Sequence, residues 1–219
     1  MKENFTYEKL TPMLKHYVDV KNNFKDSLLL YRVGDFYESF FDDAIITSKA
    51  LGLTLTGKEC GHEKKAPMCG VPHHVVDNYI TKLVKKGYKV ALCDQVEDPK
   101  QAKGLVKRAI TRVITPGTIT DMESLDNREN NYLLSMFQNA YGLSLTYCDI
   151  STGEFYTLEI KGSNELIAKL AIDQIEKINP SEIIINSSLN LMKIKQYLNL
   201  NSDISVSYTH LTLPTICSV

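Results

Sequence analysis

SLLLYRVGDFYESFF (residues 27–41) joins an almost continuous apolar run to an aromatic one across a Gly-Asp pair. Ser27–Val33 is too apolar for a strand that has one face in water, so it predicts a central strand buried on both faces. The Gly-Asp pair breaks that strand, and the aromatic side chain of Phe36 then projects from the end of a rigid element. Glu38, two residues further on, shares the same side of an extended backbone.

Two interpretations of this aromatic run remain open from periodicity alone. Phe36, Tyr37 and Glu38 have the chemistry of a site that stacks on a flat ligand and hydrogen-bonds it. Phe36, Phe40 and Phe41 are equally candidates for a hydrophobic core, and the burial statistics of phenylalanine favour that second interpretation. A further observation is needed to choose between them.

The rest of the chain alternates between helical and extended hydrophobic patterns, which predicts an α/β protein with two domains. Residues 60–72, rich in Gly, Pro and His, are predicted to form a loop, and loops often carry function. The second half opens with three short strands joined by tight turns, an arrangement compatible with an RNase H-like fold. The patterns place helices at 7–21, 42–51, 73–86, 165–178 and 189–200, and strands at 27–33, 53–57, 89–95, 107–115, 132–139, 143–150, 155–160 and 182–185.

The composition is that of a globular protein: 219 residues, 43% of them hydrophobic. Five cysteines, an odd number widely scattered, suggest reduced thiols rather than a disulfide framework. No apolar run approaches the ~20 residues needed to span a bilayer, and the sequence MKENFTYEKL lacks the pattern of a signal peptide. We therefore expect a cytoplasmic protein with no membrane partner.

The net charge of −1 hides a division along the chain. Residues 1–113 carry 19 Lys and Arg against 14 Asp and Glu, whereas residues 114–219 carry 6 against 12. Such a contrast suggests that the first half meets a polyanion, although two solvated surfaces of opposite sign explain the charges equally well. Lys58, Lys64, Lys65, Lys107, Arg108 and Arg112 are candidate phosphate contacts on charge and position, and for each a solvated surface side chain is an equally good interpretation.

The charge reversal coincides with a polar, acidic segment that has no periodicity, and this segment is the best candidate linker. We predict a first domain over residues 1–118, a linker over 119–131 and a second, incomplete domain over 132–206. Residues 207–219 (SYTHLTLPTICSV) are uncharged and lack a periodic face. We expect them to be a tail that is not native to the protein.

Five motifs, in order along the chain, closely resemble the N-terminal part of the MutS family of bacterial DNA mismatch repair proteins. They are TPM (residues 11–13), LYRVGDFYESF (30–40), PMCGVPHH (67–74), RVITPGT (112–118) and DISTGE (149–154). The resemblance implies that the first domain, built on a mixed sheet, recognises mismatched DNA. It also implies that the aromatic-x-Glu motif, here Phe36 and Glu38, contacts the base while the duplex is kinked.

For the second domain the resemblance implies an RNase H-like connector that communicates with the repair partner MutL. The full-length family protein is expected to bind ATP and magnesium and to form a homodimer. No G-x-x-x-x-G-K-[ST] or G-x-G-x-x-G motif occurs in this sequence. We therefore expect an N-terminal fragment that is monomeric, holds no cofactor, catalyses nothing and works at the nucleoid.

Two alternatives from other functional classes remain: an RNase H-like metal-dependent nuclease whose first domain supplies affinity for DNA, and a zinc-dependent interaction module. Cys60, His62, Cys69 and His73 lie close together in sequence, but their spacing fits no standard zinc module, and we expect His73 or His74 to bond nearby backbone at a helix start. Asp149 ends a strand where RNase H-like nucleases carry a metal-binding carboxylate. Because such catalysis needs several converging acids, we expect Asp149 to be a turn or cap residue instead. The other acids considered, Glu154, Glu159, Asp173 and Glu182, are predicted to lie in turns or on different faces.

Overall fold

The computed structural model describes residues 5–97, 104–119, 130–186, 189, 192–201 and 204–209, which fall into two compact units divided after Thr115. The described residues of the first unit form a six-stranded mixed sheet in the order β3-β4-β2-β1-β5-β6. The strands are β1 (Ser27–Val33), β2 (Phe36–Phe40), β3 (Thr56–Lys58), β4 (Ala66–Pro72), β5 (Lys89–Gln95) and β6 (Arg108–Ile114). The helices are α1 (Pro12–Asn23), α2 (Phe41–Leu51) and α3 (Val76–Val84), with short 3-10 turns at Tyr7–Lys9 and His73–Val75.

The predicted central strand is confirmed with the same bounds. β1 runs parallel to β5 on one side and antiparallel to β2 on the other. Its first five residues are buried, because α1 covers one face of the sheet and α2 packs beside the other. On the α1 face, Tyr17 meets Phe40 edge to face with ring centroids 5.0 Å apart, and Leu29 and Tyr31 complete the core.

The prediction of a loop at residues 60–72 is wrong over its second half. β4 is an interior strand that pairs with β2 on one side and β3 on the other. Pro67 and Pro72 lie near its two ends, where the missing N–H group costs little, so pairing on both sides overrides a composition that disfavours strands.

The strand predicted at residues 107–115 is confirmed as β6, but its two arginines do not share a face. Leu92 of β5 pairs with Arg112, but the next residue, Cys93, pairs with Ile110. Thr111 is therefore an extra residue in β6, and such a bulge reverses the alternation of side chains along the strand. Arg108 and Arg112 consequently point to opposite faces of the sheet.

In its described part, the second unit has a five-stranded mixed sheet in the order β11-β10-β7-β8-β9. The strands are β7 (Tyr132–Asn139), β8 (Gly142–Asp149), β9 (Glu154–Ile160), β10 (Glu182–Asn186) and β11 (Ser205–Thr209), and the helices are α4 (Asn164–Ile178) and α5 (Met192–Leu200). The first three strands form the predicted antiparallel meander, and β10 and β11 extend it in parallel. The predicted α/β class, with two domains built on mixed sheets, is confirmed.

The boundary between the units lies three residues before the predicted end of the first domain. A 3-10 turn at Pro116–Thr118 belongs to the second unit, where the Gly117 N–H donates to the buried Glu182 carboxylate over 3.1 Å. Most of the predicted linker, 120–129, lies outside the described residues. The segment predicted to be a tail contributes its residues 207–209 to β11, and its remainder lies outside the described residues.

Among the helices that the structure describes, none combines the length and the apolar composition needed to span a membrane.

Candidate nucleic-acid interface

The candidate site lies at the tip of the hairpin formed by β1 and β2. Val33 pairs with Phe36, so only Gly34 and Asp35 form the loop. Gly34 has φ +56°, a conformation that glycine adopts without steric cost and that tight hairpin turns require. The tip is braced from outside, because the backbone N–H of His73 donates to the Asp35 carbonyl over 2.9 Å and its ring Nδ1 lies 3.1 Å from the same oxygen.

The structure separates the two roles that the sequence left open for the aromatic residues. Phe36, Glu38 and Phe40 alternate onto one face of β2. Phe40 is fully buried in the core, whereas 48% of Phe36 is exposed at the hairpin tip. Phe36 therefore offers about half of its surface to a partner while its backbone is held on both sides by neighbouring strands.

Glu38 is held by an ion pair beneath this exposed ring. Its carboxylate lies 2.8 Å from the Lys58 ammonium, and the two side chains are only 12% and 30% exposed. Lys58 is on β3, two strands away, and the strand between them presents Gly70 directly opposite Glu38. The aromatic ring, the carboxylate and the ammonium therefore share one face of the sheet.

Arg108 brings a second cation to the same face. Its guanidinium stands over the Tyr31 ring, 5.0 Å from the centroid, and its Nε donates to the Arg32 carbonyl over 2.9 Å. Tyr31 is the residue of β1 that pairs with Glu38. Burial raises the pKa of the Tyr31 hydroxyl to about 12 despite the nearby guanidinium, so this group stays protonated at neutral pH.

The other predicted basic residues are not gathered here. Arg112 lies on the opposite face and pairs with Asp77 of α3 over 3.1 Å. The Lys65 ammonium pairs with the Glu59 carboxylate over 3.0 Å, with both side chains in solvent. Lys64 is exposed, and the Lys107 ammonium lies 4.0 Å from the Glu97 carboxylate.

The residues considered for zinc each have a separate backbone partner. The Cys60 thiol donates to the Lys64 carbonyl, the Cys69 thiol to the Ala44 carbonyl, and His62 Nε2 lies 3.1 Å from the Thr6 carbonyl. His73 bonds Asp35 at the start of a 3-10 turn, which confirms the backbone role predicted for it. In the part of the chain that the structure covers, no group of three His, Cys, Asp or Glu residues could hold a metal ion.

Asp149 is a turn residue, as predicted. One carboxylate oxygen accepts the Ser151 N–H, the Ser151 hydroxyl and the Thr152 N–H, and the other accepts the Asn131 N–H. Burial by itself would raise the pKa of Asp149, but these hydrogen bonds outweigh it and lower the pKa below its ordinary value. The carboxylate is thus occupied in closing the turn between β8 and β9.

Sequence reasoning missed the role of Gly70 and the identity of the backbone group that His73 bonds, although both residues lie in the motif PMCGVPHH. The available signal was Gly70 itself, because a glycine within a strand often marks the close approach of another group. The group that approaches Gly70 is determined by the pairing of β4 with β2. That pairing could not be predicted from a segment that the sequence pattern assigns to a loop.

Comparisons with known proteins match both units of the chain to the same family. The models of MutS domain I and MutS domain II match residues 11–123 and 131–212. The DNA mismatch repair protein MutS of Ruminiclostridium cellulolyticum is 52% identical over 195 residues, which cover 87% of this chain and 22% of that protein. The MutS proteins of Alkaliphilus oremlandii and Clostridioides difficile are 54% and 50% identical over 80% and 89% of the chain, and each match covers 20% of the relative. The chain therefore spans about a fifth of the length of these relatives.

Proposed function

This chain belongs to the MutS family of DNA mismatch repair proteins, and from that premise we propose that its first unit recognises mismatched or unpaired bases in duplex DNA. The observation that carries the proposal is the half-exposed ring of Phe36 on a braced hairpin tip, on the same face as the Glu38 carboxylate. A rigidly mounted aromatic ring beside a hydrogen-bonding group is suited to reading a base.

Phe36 acts as a wedge in this proposal. A mispaired or unpaired base is less well stacked than its neighbours, so inserting a ring beside it and kinking the duplex costs less there than in paired DNA. Stacking is tolerant of base identity, because every base has a π-face. Phe36 would therefore sense the deformability of the duplex rather than a particular base.

Glu38 supplies the second part of the selectivity. A carboxylate near the phosphates of ordinary duplex DNA is repelled, and this cost is offset only where the carboxylate hydrogen-bonds a displaced base. The preference for a mismatch would then come partly from weakening the binding of matched DNA.

The backbone of the duplex would be held by cations on or near this face. Arg108 shares the face of Phe36, and the exposed Lys107 directly precedes it in sequence. Arg112 is not included in the surface, because the bulge in β6 directs it to the opposite side. Each phosphate contact would add to affinity and to its salt dependence without adding sequence preference.

For the second unit we propose the connector role that the family implies, with MutL as partner. ATP and magnesium binding and homodimer formation are assigned in this proposal to the remaining four fifths of the family's length, since the sequence here has no phosphate-binding glycine motif. The activity of this chain would then be binding rather than catalysis, carried out on DNA at the nucleoid.

The test is a binding comparison between two duplexes that differ by one base. Fluorescence anisotropy with a matched duplex and with one containing an unpaired thymine, at several salt concentrations, should give tighter binding of the second. Both affinities should fall as salt rises. Equal binding of the two duplexes at every salt concentration would refute the proposal.

A further inference from the structure

The ion pair between Glu38 and Lys58 is shielded from solvent. Both side chains are largely buried, and the Lys58 ammonium also lies 5.9 Å from the centroid of the Phe40 ring. The Lys58 ammonium is paired with a carboxylate and lies near an aromatic ring, so it is not free to bind a phosphate. Removing either partner of such a pair leaves the other charge poorly compensated.

The absence of a side chain at Gly70 leaves room for the contact between Glu38 and Lys58. It stands on β4, between the strand of Glu38 and the strand of Lys58. A Cβ atom added at Gly70 would lie 3.3 Å from Glu38 Cγ and 3.2 Å from the Tyr37 carbonyl oxygen, closer than side chains normally pack. The Glu38 side chain therefore occupies space that another residue at position 70 would require, and it reaches the ammonium across β4 from a position that has no side chain opposite it.

We propose that Lys58 is a positioning residue, which orients the Glu38 carboxylate, and is not itself a phosphate contact. The inference rests on the proposed function, because it concerns how the base-reading carboxylate is held. With Lys58 in place the carboxylate has one direction. Without Lys58 the carboxylate would be mobile and poorly placed to hydrogen-bond a base.

The two roles for Lys58 make different predictions. A phosphate contact contributes equally to matched and mismatched DNA, and its loss reduces the slope of log affinity against log salt by about 1. A positioning residue acts only through Glu38, so its loss lowers the preference for mismatched DNA and has no effect on that preference once Glu38 is gone.

A double-mutant cycle on the 219-residue chain separates them. The ratio of affinities for the unpaired-thymine and matched duplexes is measured for the wild type, Lys58→Met, Glu38→Ala and the double variant. Lys58→Met alone should lower the ratio about fivefold, a size expected for contacting charged groups, and should leave it unchanged in the Glu38→Ala background. Lys58→Arg should retain most of the ratio, because it keeps the charge.

Lys65→Met is the matched control, since Lys65 forms an exposed ion pair in the same part of the chain. It should leave the ratio unchanged, and circular dichroism melting should show each variant folded. Equal loss of both affinities on Lys58→Met, with the same loss in the Glu38→Ala background, would overturn the positioning role and leave the mismatch proposal standing. A wild-type chain that does not distinguish the duplexes at all would overturn both.

Discussion

Replacing Phe36 by alanine tests the wedge most simply, and the structure sets the cost to folding. Complete burial of a phenylalanine side chain contributes ~1.5–3 kcal/mol. Because 48% of Phe36 is exposed, we expect Phe36→Ala to lower the free energy of unfolding of the first unit by only about 1 kcal/mol. Thermal melting should therefore show a folded protein with a slightly lower melting temperature.

The effect of Phe36→Ala on DNA binding should be larger than its effect on stability. Stacking of an aromatic side chain on a base contributes ~1–3 kcal/mol, which corresponds to a roughly 5- to 150-fold change in affinity. The whole of this loss should fall on the unpaired-thymine duplex, since matched DNA offers no base to stack on. Anisotropy titrations of both duplexes should then show that discrimination is abolished while matched binding is little changed.

Phe40 provides the control on the same strand and the same face. It is fully buried against Tyr17, so Phe40→Ala should cost ~3–5 kcal/mol and should unfold much of the first unit. If Phe36→Ala destabilises the protein as much as Phe40→Ala does, Phe36 is a core residue and the reasoning fails. Retained discrimination in a folded Phe36→Ala variant would refute it equally.

Four further outcomes are expected. Glu38→Ala should reduce the preference for mismatched DNA more than it reduces total affinity, because it also removes repulsion from phosphates; equal losses on both duplexes would count against a base-reading role. The purified chain should contain no stoichiometric zinc, and a chelator should leave its melting temperature unchanged; about one zinc per chain, lost together with the fold, would reverse this. Since the folded-state pKa of Asp149 is lowered, its stabilisation should be complete above about pH 4 and lost as pH falls through the folded-state pKa, and Asp149→Asn should flatten that acid dependence. The chain should sediment as a monomer without ATPase or nuclease activity, and magnesium- or manganese-dependent cleavage that disappears in Asp149→Asn would make a nuclease the better interpretation.

The elements with continuous or strongly periodic hydrophobic patterns could be predicted from the sequence. β1 and β5 are found at their predicted bounds, because each is a short apolar run between turn-forming residues. Phe36 and Glu38 could be placed on one side of an extended backbone from their spacing of two residues, although no strand was predicted where β2 lies. Their difference from the buried Phe40 was not predictable from periodicity, because burial depends on what covers each end of the strand.

The features that sequence reasoning missed depend on pairing between strands that lie far apart in the sequence. β4 is a strand because β2 and β3 flank it, whatever its glycine and proline content. The contact of Glu38 with Lys58 depends on that same pairing and crosses two strands. Arg108 and Arg112 are separated by a bulge opposite Leu92 and Cys93. No local sequence pattern in β6 indicates the position of the extra residue.

The central claim, that the Phe36 ring contacts the unpaired base, can be tested directly by NMR of the chain with labelled phenylalanine rings. The chain has 7 phenylalanines, and the Phe36 signal can be assigned through Phe36→Leu. The exposed Phe137 and Phe155 of the second unit serve as internal controls. On addition of the unpaired-thymine duplex, the Phe36 ring signals should move upfield with contacts to base protons, while the control signals stay in place and matched DNA causes no such shift. Unchanged Phe36 signals in a complex that has demonstrably formed would contradict the account.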